Sequence, residues 1–131
     1  LVLDLLTWMH DNRADYTNTF CFLMNKLKNK DQIYANQQFL NWKKRWESRR
    51  KLFSNLPENS IKIMKKANPL VIPRNHKVEE ALTASTKNND LTKIHELLKI
   101  LKNPYENDHE ISSYQQPPEP GAEKYKTFCG T

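Results

Sequence analysis

The side chains of this sequence best suited to chemistry are four histidines, two cysteines and an arginine that follows Pro73. The histidines are His10, His76, His95 and His109, and none pairs with a second His, a Cys or a carboxylate at the spacing a zinc site needs. They read as surface or interface residues. Arg74 stands at a kink beside a helix start, where its planar fork could grip a carboxylate with two bonds. That carboxylate belongs either to another domain or to a local acid such as Glu79, and the sequence leaves both open. Arg74 and His76 are therefore the candidate interface residues. Cys21 falls near an apolar helical stripe and reads as a small buried hydrophobe. Cys129 is third from the end, close to Lys126 and Phe128. Exposed cysteines near cations can be redox active, although a casual terminal Cys fits the bare residues as well.

Several chemistries lack their parts. With 2 glycines the chain cannot form a Gly-rich phosphate loop. It has no Gly-x-Ser-x-Gly elbow, no Asp-Phe-Gly and no Val-Ala-Ile-Lys. We assign no catalytic, cofactor-binding or metal residue. The densest basic run is Lys43-Lys44-Arg45-Trp46-Glu47-Ser48-Arg49-Arg50-Lys51. At about 100° per residue its charges surround the tryptophans instead of forming one basic face. We read it as a solvated helix surface with arginine stems over indoles. Nucleic acid is the weaker reading, because no binding motif accompanies the charge.

The elements that must position these residues read as helices. Glycine is scarce, and the 7 prolines cluster in one link and one tail. The net charge of +6 permits an acidic partner without demanding one. Two cysteines fit a reducing compartment, so we expect a cytoplasmic protein. No apolar run reaches the about 20 residues of a membrane span, so no membrane partner is expected. Leu1-Val2-Leu3-Asp4-Leu5-Leu6 reads as the middle of a helix, as if the chain were cut from a longer one.

Residues 1–10 form an apolar helix with Leu3, Leu6 and His10 on one side and Leu5 and Met9 beside them. Asp15 opens a second helix carrying Tyr16, Phe20, Leu23 and Leu27, closed by Lys26, Lys28 and Lys30, with Asn29 as its stop. A third runs from about Ile33 to Ser54 on the stripe Ala35, Phe39, Trp42, Trp46 and Phe53, so both tryptophans should be largely buried. A fourth, Pro57 to Ala67, turns Ile61 and Met64 inward. Pro69 and Pro73 forbid helix through residues 68–74, so Leu70-Val71-Ile72 should enter the core extended. Asn75 should then cap a helix over 76–87, with Val78, Ala81, Leu82 and Ser85 on one face. Asp90 should cap the last helix, striped with Leu91, Ile94, Leu98 and Leu101, and these two helices should pair antiparallel. Residues 103–131 show no period. Tyr105, Ile111, Tyr114, Tyr125 and Phe128 could peg them to these helices or to another domain.

The link carries a resemblance. Asn68-Pro69, Ile72-Pro73-Arg74-Asn75-His76 and Val78-Glu79-Glu80-Ala81 resemble the C-terminal region of the selenoprotein O family. Met9 and Ala14-Asp15-Tyr16-Thr17-Asn18-Thr19-Phe20 agree, as do Asn103-Pro104-Tyr105, Pro117-Pro118 and Phe128-Cys129-Gly130-Thr131. The matches keep their order across nearly the whole chain. The resemblance implies a bacterial pseudokinase that transfers AMP from ATP to protein Ser, Thr or Tyr hydroxyls with Mg²⁺ or Mn²⁺. Its catalytic kinase-like domain precedes this region. That missing domain and the protein substrates are the implied partners. Cys129 falls where some members carry selenocysteine, which implies a redox role and a reversible disulfide with the missing domain.

We therefore expect an all-α fold of about six helices in an irregular bundle. Residues 1–103 form a helical domain, and 104–131 form an extended tail on the helices or on the missing domain. The chain reads as a regulatory or scaffolding portion that is inactive alone. The alternative is a non-enzymatic helical module for an acidic partner or nucleic acid.

Overall fold

The computed structural model describes residues 1–27, 31–53, 57–106 and 110–119. Among them the fold is all-α: α1 (Val2–Asp11), α2 (Tyr16–Leu23), a 3-10 turn (Gln32–Ala35), α3 (Gln37–Phe53), α4 (Pro57–Ala67), α5 (Asn75–Asn88), α6 (Thr92–Leu101) and a single turn, α7 (Ser112–Gln115).

Side-chain caps and left-handed residues set the helix ends. Asp15 caps α2 by accepting the Asn18 N–H at 2.8 Å. Arg13 (φ 51°) and Asn25 (φ 57°) are left-handed residues just past α1 and α2. Each starts a closing pair of bonds: Arg13 N to His10 O and Ala14 N to Met9 O, then Asn25 N to Phe22 O and Lys26 N to Cys21 O. Asn tolerates the left-handed region, so α2 stops at Leu23, short of the expected basic end. Lys28, Asn29 and Lys30 lie outside the described residues. Asn36, not Ile33, starts the third helix: its Oδ1 accepts the Gln38 and Phe39 N–H groups. Asp90 accepts the Thr92 N–H at the head of α6, and Asn89 (φ 51°) makes the preceding turn. Asn75 is the first helical residue of α5 instead of its cap.

The core has two parts. One is aromatic and centres on Phe39, which is 0% exposed. Trp8 lies 4.6 Å from its ring, and Tyr34 stacks on Phe22 at 4.2 Å. Trp42 follows, and Trp46 stacks on Trp42 at 5.9 Å. Trp42 is buried as expected, but Trp46 is only half-buried. It lies at the edge of the cluster, with the Arg50 guanidinium 4.6 Å from its ring. The side chain of Phe53 lies outside the described part. The second cluster gathers Cys21, Met24, Leu70, Val71, Ile100 and Ile111. The extended link delivers Leu70 and Val71 into it, and the Leu70 N–H donates to Pro104 O at 2.6 Å. Tail residue Ile111 is buried, Tyr114 is half-buried and Tyr105 is exposed. Tyr125 and Phe128 lie outside the described residues.

α5 and α6 pack together, and Lys93 bridges to Glu80 between them. Their inner residues are Ala81 and Ala84 on one side and Leu97 and Ile100 on the other. Leu82, Leu91 and Leu98 face solvent, although each sat on an expected inner stripe. α1 departs in the same way. It buries Leu5, Trp8 and Met9, and leaves Leu3 and Leu6 exposed. No helix among the described residues is long and apolar enough to cross a membrane.

Candidate functional site

Arg74 is a buried arginine whose partners lie on α2 and α7. Pro73 ends the link, Arg74 takes the N-cap position of α5, and its side chain turns inward to 8% exposure. Nη1 donates to Asp15 Oδ2 at 2.7 Å and Nη2 to Asp15 Oδ1 at 3.0 Å. Nη2 also donates to Asn18 Oδ1 at 3.2 Å, and Nε to the Tyr114 carbonyl at 3.2 Å. Of the readings the sequence left open, the structure draws the local ion pair, with Asp15 in place of Glu79. Its geometry is the two-pronged grip that suits guanidinium to carboxylate.

The network continues into the C-terminal segment. Asn18 Nδ2 donates to the Gln115 carbonyl at 2.9 Å. Gln115, 1% exposed, donates from Nε2 to Leu70 O at 3.1 Å and Lys26 O at 3.3 Å. The Cys21 thiol points at the Pro69 and Leu70 carbonyls. One cluster of side chains thus ties together α2, the link, the start of α5 and α7. No buried side-chain nitrogen or oxygen among the described residues lacks a partner, as a polar group in a core requires.

The electrostatics favour a fixed structure over reactivity. Burial pushes the Asp15 carboxyl up, but hydrogen bonds from Arg74 and the Asn18 N–H, with the guanidinium charge, outweigh it and hold the group below its ordinary range. A carboxylate so engaged is a poor base. Burial, reinforced by the Asp15 charge, pushes the Cys21 thiol up to about 11, which keeps it protonated and unreactive. His76 is half-buried at the head of α5, and burial, then the Lys77 and Arg74 charges, lowers its pKa. It stands outside the Arg74 network. His95 is exposed on α6, His10 lines a groove beside α1, and His109 and Cys129 lie outside the described residues.

The described residues contain no group of three His, Cys, Asp or Glu able to hold a metal ion. Three of the basic side chains of α3 are engaged locally: Arg45 bonds Asp4 at 2.7 Å, Lys43 faces Glu47 at 3.6 Å, and Arg50 bonds Ser60 at 2.7 Å. Sequence reasoning read Asp15 only as a helix cap and missed Asn18 and Gln115. The available signal was Asp15 itself, an acid able to meet the arginine of an apolar link. Gln115 gave none.

Fold and site together define a helical domain whose charged centre holds segments in place. The family model described as protein adenylyltransferase SelO matches residues 1–102. The chain is 47% identical over 131 residues to protein nucleotidyltransferase YdiU of Pelagibacter ubique, 43% identical to that of Alcanivorax borkumensis and 40% to that of Bacillus mycoides. Each match takes in 100% of this chain and 27% of the relative's length. The chain belongs to the SelO family of protein adenylyltransferases. No solved structure matches it.

Proposed function

We propose that this chain is the C-terminal, regulatory or scaffolding portion of a cytoplasmic protein adenylyltransferase. In the family-length protein a kinase-like domain outside this stretch transfers AMP from ATP to protein hydroxyls, with Mg²⁺ or Mn²⁺ on the nucleotide. The observation that carries this reading is the match of the whole chain to 27% of relatives named nucleotidyltransferases. The Arg74 network supports it: a guanidinium already holding four acceptors is unavailable to a phosphate, so the arrangement suits positioning. Cys129 belongs to the same proposal as a redox cysteine paired with one in the kinase-like domain. Mild oxidation should give the family-length protein a gel shift that Cys129→Ser abolishes.

Phosphoryl-group chemistry needs a phosphate cradle, acidic metal ligands and cationic stabilisers in one cleft. The chain alone, given labelled ATP, Mg²⁺ or Mn²⁺ and a protein substrate, should label nothing, whereas the family-length protein should label it. Calorimetry on the chain should show no ATP binding tighter than about 1 mM. Micromolar ATP binding by the chain would place part of the nucleotide site here and overturn the reading.

A further inference from the structure

α1 is apolar on both sides. Its inner side, Leu5, Trp8 and Met9, is buried against the aromatic core. Its outer side exposes Val2 (73%), Leu3 (77%) and Leu6 (41%). Its polar residues are Asp4, Thr7, His10 and Asp11, and an apolar surface on both sides of a helix is normally covered on both. The outer face is also held firmly in place. Trp42 Nε1 donates to the Leu1 carbonyl at 2.8 Å, and Arg45 bonds Asp4. Leu6 continues into an open groove with Met9, His10, Arg13, Ala14 and Tyr16. The closing bonds of α1 fix the Arg13 backbone in the left-handed region. Its side chain is exposed and makes no ion pair or hydrogen bond among the described residues.

We propose that this face, Val2, Leu3 and Leu6 with the Arg13 end of the groove, seats a further part of the family-length chain: an apolar segment that presents a carboxylate to Arg13. The inference rests on the proposed function only in taking this chain as one portion of a longer protein. The curated relatives supply the occupant's scale, since the chain spans 27% of their length. A pre-fixed apolar surface with one cation at its end suits an apolar, acidic segment, because little ordering is lost on docking.

A benzophenone amino acid at position 6 of the family-length protein tests the proposal, with position 87, also exposed, as control. Irradiation should join position 6 to a peptide outside these 131 residues of the same chain, leaving a monomer on a denaturing gel, and the control should give at least tenfold less of that product. A cross-link into residues 1–131 of a second copy would overturn the proposal. So would a yield no higher than the control's. In the same protein, Leu3→Asp with Leu6→Asp should speed proteolytic release of this portion about tenfold, and Arg13→Glu should speed it less; no change in either variant contradicts the assignment. A family-length protein that cross-links as predicted but transfers no AMP would keep this surface and remove the proposed function.

Discussion

Arg74 and the outer face of α1 exchange the places that their residue types suggest. The arginine, which the sequence leaves free to reach another domain or a local acid, is 8% exposed and gripped by Asp15. Leu3 and Leu6, expected on an apolar stripe, face solvent. Polar residues can be buried when every donor and acceptor is matched. Apolar residues can be exposed when the surface that covers them belongs to something else. The first region therefore governs the stability of this chain, and the second should matter only in a longer assembly.

The comparison can be broken most forcefully at Arg74. Arg74→Ala leaves the half-buried Asp15 carboxylate without its guanidinium and should cost about 2–4 kcal/mol in denaturant unfolding of this chain. A cost near that of a surface substitution would mean the clamp is not a stabilising centre. Gln115→Ala should cost about 1–3 kcal/mol, because the Leu70 and Lys26 carbonyls lose their buried donor. Hydrogen exchange should localise the loosening to residues 110–119 while α1 and α3 remain protected.

Acid sharpens the same contrast. The folded pKa of Asp15 lies below its ordinary value of 3.8. The folded state therefore favours the ionised form, and its contribution is whole above the ordinary carboxylate range. It is lost as pH falls from about 4 through the folded pKa. Asp15→Asn should flatten the acid limb of a stability-against-pH curve, and an unchanged limb would mean that Asp15 does not carry it. The smallest effect belongs to α1. Leu6→Ala should change the stability of the isolated chain by no more than about 0.5 kcal/mol, as read by the same unfolding curves.

The helical class and most helix positions were legible because apolar spacing and prolines act locally. The extended link was legible from Pro69 and Pro73, which exclude helix whatever surrounds them. The direction each helix faces was less legible. α6 carries Ile94, Leu97, Leu98, Ile100 and Leu101, with Leu91 just before it, so more than one stripe is available, and tertiary packing chose Leu97 and Ile100. Trp8 was missed because α1 offers apolar residues on both sides. The site was least legible. Arg74 meets Asp15 across 59 residues and Asn18 meets Gln115 across 97. Residue types that ordinarily face water carry no local signal of burial.

The account's central claim is that Asp15 and Arg74 act as one unit that ties α2 to the start of α5 beside the second core cluster. A double-mutant cycle on Asp15→Ala and Arg74→Ala, read by denaturant unfolding of this chain, tests it most directly. The account predicts a coupling of about 2 kcal/mol or more, the double variant being far less destabilised than the sum of the singles. A coupling below about 0.5 kcal/mol, with the two costs simply adding, would contradict it.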